Sequence, residues 1–218
     1  MELTPIAHIR TEFTEKFGIP RQSGLVESLK GAIVFEPAFR QAEALRGLED
    51  YSHLWLIWGF SQSRGWSPTV RPPRLGGNTR IGVFATRAPN RPNPLGLSAV
   101  EIEGIADGVI HVRGADLLDG TPIYDIKPYL PYADCIPDAH GGFANNAPEQ
   151  VLEVQIADGL LSRLPEDRRG ALVQILALDP RPSYQDDPAR VYGFAFAGFE
   201  VKFRVAGDVL TVVSIEDL

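Results

Sequence analysis

The chain has 218 residues, 44% of them apolar and 22% charged, with a formal net charge of −7. This composition fits one globular domain, or one plus a small appendage, and excludes general disorder. A single cysteine, Cys135, excludes a disulfide framework and a cysteine-based zinc site, and points to a reducing compartment. No apolar run approaches the roughly 18–20 residues of a membrane span, and the start Met1-Glu2-Leu3 shows no secretory pattern. The expectation is a cytoplasmic protein with no membrane partner.

Gly (21) and Pro (18) together make up about 18% of the chain, against an average near 12%. That surplus favours a turn-rich, mainly β fold over a helix bundle. In chain order, residues 6–10 read as a first strand and 17–24 as a loop. Residues 38–45 read as a short helix closed by Gly47. Residues 52–60 (SHLWLIWGF) are aromatic and β-branched and read as a buried strand, with Trp55 and Trp58 in the core and His53 a structural histidine. Residues 61–78 hold Pro68, Pro72, Pro73, Gly76 and Gly77, which exclude regular helix or central strand. Residues 80–86 read as a strand and 88–96, with three prolines, as a second irregular loop. Residues 98–105 and 109–113 flank Asp107-Gly108, a hairpin signal. Residues 123–126 read as one more short strand.

The pattern then changes period. Residues 149–164 show apolar spacings of three and four and read as helix, as do residues 166–178, stopped by Pro180. Residues 192–196, 200–205 and 209–214 read as a terminal meander with turns at Ala197-Gly198 and Gly207-Asp208. The implied division is a β body over residues 1–145 and a smaller α+β element over 146–218.

Charge is uneven. No carboxylate lies between Asp50 and Glu101, and that stretch carries Arg64, Arg71, Arg74, Arg80, Arg87 and Arg91 with no lysine. An acidic protein thus keeps a local positive field, and arginine suits forked recognition of phosphate or carboxylate and stacking on bases. The alternative is a set of scattered solvated arginines. In Arg71-Pro72-Pro73-Arg74 the prolines make a rigid spacer. There is no G-x-G-x-x-G after a strand, no phosphate loop, no H-E-x-x-H and no G-x-S-x-G, and the four histidines are far apart. These absences argue against a doubly wound nucleotide enzyme, a serine hydrolase and a metal centre.

Residues 82–94 (GVFATRAPNRPNP) resemble the signature of the TsaA-like family, tRNA adenosine N-methyltransferases of the TrmO type. Pro20-Arg21-Gln22, residues 68–78 (PTVRPPRLGGN), Asp119-Gly120-Thr121-Pro122, residues 125–129 (DIKPY) and residues 179–184 (DPRPSY) fit the same resemblance in order and span nearly the whole chain. The resemblance implies a single-sheet β-barrel, S-adenosylmethionine as methyl donor, and methylation of threonylcarbamoyl-adenosine beside the anticodon of tRNA. It also implies a homodimer.

By motif, it assigns the donor to Pro20, Arg21, Gln22, Ser61, Gln62, Arg87, Leu97, Asp119, Gly120, Thr121 and Pro122. Some relatives have His-Gln where this chain has Ser61-Gln62. Asp119-Gly120-Thr121-Pro122 also fits a plain turn. Arg71, Arg74, Arg80, Arg91, Arg181 and Tyr184 are the expected contacts to the anticodon arm, with Trp66 and Tyr184 as exposed aromatics able to stack on bases. Arg87 and Arg91 can equally clamp a carboxylate. Asp125 and Lys127 flank Ile126 on a strand and share one face, Asp125 as a proton acceptor and Lys127 as an anion partner, or the two as a surface pair. Two other readings remain open: a non-catalytic RNA-binding module built on the arginine loops, and a small-molecule hydrolase, which lacks a nucleophile–base arrangement.

Overall fold

A computed structural model describes residues 2–146, 152–181 and 187–218. Twelve strands are present among them: β1 (Ala7–Thr11), β2 (Lys30–Phe35), β3 (His53–Gly59), β4 (Thr69–Val70), β5 (Ile81–Gly82), β6 (Leu95–Ala106), β7 (Val109–Arg113), β8 (Pro122–Pro128), β9 (Glu153–Gln155), β10 (Tyr192–Phe196), β11 (Phe199–Ala206) and β12 (Val209–Asp217). The order β1-β2-β7-β6-β3-β8 closes into a barrel, β8 returning to β1 through Ala7–Ile123 and His8–Pro122. Every neighbouring pair is antiparallel. Closure leaves no edge strand to be covered.

Alternation places the apolar set inside. Ile9, Ile33, Leu54, Leu56, Val100, Ile110, Val112 and Ile123 are buried, and Trp58 closes the same core. Each such side chain contributes roughly 1.5–3 kcal/mol by leaving water. Gly96 makes room for Trp58: a Cβ there would sit 2.2 Å from the indole. The out-facing positions of β3 differ. Trp55 is half-buried on the outside against Tyr129, with ring centroids 5.5 Å apart, and His53 is exposed, so neither joins the core expected of that run.

A second sheet, β10-β11-β12-β9, packs with the helix Glu166–Ala177 around Phe194, Phe196, Val201, Phe203, Leu210 and Ile215. Phe13, Val26 and Leu29, from the chain between β1 and β2, belong to this core as well. Polar bonds reinforce the join: Arg168 with Glu12 at 2.5 Å, Ser28 Oγ to Gln174 Oε1 at 3.1 Å, and the Ala195 amide to Glu15 at 2.9 Å.

Three local expectations need correction. The helix expected over 149–164 is the short strand β9, paired parallel to β12, followed by a helical turn at Asp158–Leu161. Residues 152, 154 and 156 alternate with period two while 160, 161 and 164 follow a helical period; run together they imitate one helix. The strand expected over 80–86 is only Ile81–Gly82, followed by a 3₁₀ turn at Val83–Ala85. The strand β2 was not expected at all. Its Gly31 lies where a Cβ would come within 3.2–3.3 Å of Ile9 and Val112, so close strand approach removed a side chain that would have marked it.

Candidate active site

The antiparallel order decides which loops meet. The C-terminal ends of β1, β7 and β3 and the N-terminal ends of β2, β8 and β6 share one end of the barrel. Residues 12–29, 114–121 and 60–94 therefore emerge together. Pro20, Arg21, Gln22, Ser61, Gln62, Arg87, Asp119, Gly120 and Thr121 all lie on these three segments, and Pro122 opens β8 beside them.

Arg87 is exposed and donates from Nη1 to Gln22 Oε1, joining the segment 60–94 to the segment 12–29. Asp119 is held from two sides. Its Oδ1 accepts the Thr11 amide at 3.1 Å, and its Oδ2 faces Arg10 Nη1 at 3.4 Å. Buried Thr121 donates to the Leu118 carbonyl at 2.7 Å, and the Gly120 amide to Ile9 at 2.8 Å. The turn is thus a fixed ledge on the barrel rim.

Sequence reasoning missed Asp116 and Ser98. Ser98 is an in-facing residue of β6, 1% exposed. Its hydroxyl donates to Asp116 Oδ1 at 2.7 Å and accepts Trp58 Nε1–H at 3.0 Å. Burial pushes the Asp116 carboxyl above its ordinary value, opposed by Ser98, by the Arg87 charge and by the Ser23 amide. A carboxyl group anchored to the barrel core therefore lies within electrostatic reach of Arg87. The available signal was a polar residue at an in-facing position of an otherwise apolar strand.

Leu97 and Asp125 stand on the outer wall just below this end. Across the sheet Leu97 pairs with Ile57 and Ile57 with Asp125, so the three form one row. Lys127 shares the face and lies 2.9 Å from Asp125, both partly exposed. The Asp125 Oδ1 also accepts the Ile126 amide at 2.9 Å. Two grooves flank the end. One, of about 250 Å³, runs from Lys16 to Arg21 against Leu178–Arg181. The other, of about 220 Å³, is lined by Ser61, Phe60, Pro94, Leu95 and Tyr124.

The arginine loop is ordered. β4 pairs with β5, the Val83 amide donates to Pro68 at 3.0 Å, and the Ser67 amide donates to Asn90 at 3.2 Å. Arg71, Arg74 and Arg80 are exposed; Arg74 donates to the Asn146 carbonyl at 2.6 Å and Arg80 to Thr69 Oγ1 at 3.3 Å. Arg91 instead turns inward, donating from Nη1 to Val83 at 3.0 Å and Thr86 at 2.7 Å. Arg181 forks onto Asp179 at 2.8 and 2.9 Å and is largely covered. Tyr184 lies outside the described residues. Among the described residues, no group of three His, Cys, Asp or Glu is placed to hold a metal, and no helix is long and apolar enough to cross a membrane.

Comparison with known proteins agrees with this architecture. Residues 8–135 match the family model of the tRNA-methyltransferase O N-terminal domain, and residues 149–218 that of the TrmO C-terminal domain. The tRNA (adenine(37)-N6)-methyltransferase of Escherichia coli K12 is 44% identical over 225 residues, covering 97% of this chain and 96% of that protein. A putative S-adenosylmethionine-dependent methyltransferase, RcsF, of Pseudomonas aeruginosa is 47% identical over 213 residues, covering 93% and 91%. The crystal structure of TrmO from Pseudomonas aeruginosa superposes with a TM-score of 0.84 at 37% identity, covering 99% of this chain and 97% of that one. These matches define a methyltransferase, one whose fold is a closed antiparallel barrel and not a parallel doubly wound sheet. The chain belongs to the TrmO family of tRNA methyltransferases.

Proposed function

We propose that the chain transfers a methyl group from S-adenosylmethionine to the 6-nitrogen of the adenosine at position 37 of tRNA, beside the anticodon, with threonylcarbamoyl-adenosine as the substrate form. The observation that carries this reading is the convergence of residues 20–22, 61–62, 87 and 119–122 at one barrel end, in a chain related over nearly its full length to an enzyme of that name.

The residues present fit the donor. It carries an amino group, a carboxylate and a sulfonium cation, and the segments at this end carry the Asp119 carboxylate, held by Thr11 and Arg10, and the exposed guanidinium of Arg87. Bound there, S-adenosylmethionine supplies an activated methyl group. Arg87 and Gln22 would hold its carboxylate end, and Pro20, Arg21, Ser61, Gln62, Leu97 and the ledge Asp119–Pro122 would form the rest of the cradle.

Methyl transfer between two bound partners depends chiefly on placement. The accepting nitrogen belongs to a ureido group, so a proton acceptor helps it react. Asp125 takes that role, in the same row as Leu97, with Lys127 2.9 Å away and facing an anionic group of the RNA. Arg71, Arg74 and Arg80 contact phosphates of the anticodon arm, and Tyr184 stacks on one of its bases; Arg91, bonded to Val83 and Thr86, and Arg181, forked onto Asp179, support the surrounding loops. Residues 1–145 act as the catalytic domain, and residues 146–218 brace the loop 12–29. The working form is a homodimer in the cytoplasm. Equilibrium dialysis with S-adenosylmethionine tests the reading against a non-catalytic RNA-binding module: retention well below millimolar donor is expected, and no retention favours the module.

A further inference from the structure

The 3₁₀ turn Val83–Ala85 presents an anomaly. Val83 is 1% exposed, whereas its neighbour Phe84 is 75% exposed. The turn does not throw Phe84 out by being loose. The Val83 amide is tied to Pro68; the Val83 carbonyl accepts Thr86 Oγ1 at 2.8 Å and Arg91 Nη1 at 3.0 Å. Arg91 also closes on the Thr86 carbonyl, and its guanidinium carbon lies 5.7 Å from the Phe84 ring centroid. A guanidinium at the ring face stabilises the aromatic where it stands. The chain thus spends an arginine and several hydrogen bonds on fixing a phenyl ring in water, against the usual drive to bury it.

The surroundings say what the ring meets. It stands in the stretch from residue 51 to 100, which holds six arginines and no carboxylate. Trp66, 57% exposed, sits in the segment tied to the same turn through Ser67–Asn90 and Pro68–Val83. Arg87, on the candidate donor site, follows three residues later. A positive field recruits a polyanion, and a fixed aromatic face offers an unstacked base a partner. A polypeptide partner would need only the apolar surface; the absence of carboxylates over so long a stretch is explained by RNA.

We propose that Phe84 is a stacking platform for a splayed nucleobase of the substrate RNA, held in position by Arg91. This rests on the reading that the chain methylates tRNA. Arg91 acts here as a positioning residue and not as a phosphate clamp.

The test uses the full chain with Phe84→Ala, Phe84→Leu and Phe84→Trp, reading KM for tRNA in the methyl-transfer assay, donor affinity by dialysis, and particle mass by light scattering. Alanine and leucine variants should each raise KM for tRNA on the order of tenfold. Tryptophan should keep the wild-type value and add emission that tRNA quenches. Donor affinity and particle mass should stay constant. An alanine or leucine variant with the wild-type KM overturns the platform, as does a fall in particle mass, which would make Phe84 a contact between copies. If the wild-type chain itself leaves tRNA unmethylated, the functional reading falls and the platform with it; if the wild type is active and Phe84→Ala is equally so, only the platform falls.

Discussion

At one end of the barrel β6 turns into β7 over Asp107 and Gly108 alone, both at positive φ (53° and 73°). At the other end the chain leaves the barrel three times, for residues 12–29, 60–94 and 114–121. The tight hairpin is decided by local backbone chemistry and carries no candidate donor residue. The open end is held by tertiary means: the second core takes Phe13, Val26 and Leu29, the β4–β5 pair braces the arginine loop, and Ser98 moors Asp116. On the proposed reading stability and chemistry are separated along the barrel axis, so changes at the open rim, and at Asp125 on the outer face just below it, should cost activity, and changes in the apolar inside of the wall should cost folding.

The largest expected effect is at the rim. Arg87→Ala should lower methyl transfer by about a thousandfold, a magnitude typical of losing a well-placed charged donor, while the thermal midpoint changes little, because the side chain is exposed, its hydrogen bond is to Gln22 and its charge acts on Asp116 from a distance. Near-normal turnover would show that the motif residues do not serve the donor. Next comes Asp125→Asn, for which kcat should fall about a hundredfold with donor affinity intact, as for loss of a general base; an unchanged kcat reduces Asp125 and Lys127 to the surface pair that their 2.9 Å contact also allows.

The wall gives the converse. Gly96→Ala should destabilise by about 1–3 kcal/mol, because the new methyl meets the Trp58 ring. Gly104→Ala, on the same strand with nothing within 4 Å, serves as its control. Urea titrations of the pair that coincide would mean the wall is not packed as described.

The smallest effect concerns pH. Because burial raises the Asp116 carboxyl, the folded protein holds that proton more tightly than the unfolded chain. The stability this adds is fully present below the ordinary carboxyl value near 3.8 and is lost as pH rises through the higher folded value. Asp116→Asn should therefore gain on the wild type as pH rises above the ordinary carboxyl value near 3.8. A difference that is flat with pH would remove the buried carboxylate from the account.

The wall was the more legible part, β2 excepted. The run SHLWLIWGF and the Asp107-Gly108 turn announce strand and hairpin by composition alone, and the terminal meander announced itself through Ala197-Gly198. The parallel strand β9 was not legible, since its three residues find their partner only on β12, far along the chain. At the rim, motif resemblance supplied residues 20–22, 87 and 119–122, but their meeting depends on strand order, which no local pattern encodes. Arg91 shows a limit of counting charge: it reads as one more free cation and is committed to the carbonyls of Val83 and Thr86.

The most direct test is incubation of the full chain with methyl-labelled S-adenosylmethionine and tRNA, with or without the threonylcarbamoyl modification, followed by nucleoside analysis. Label in N6-methylated threonylcarbamoyl-adenosine, and only from modified tRNA, is the predicted result. Label absent from adenosine, or carried equally by unmodified tRNA, would contradict it.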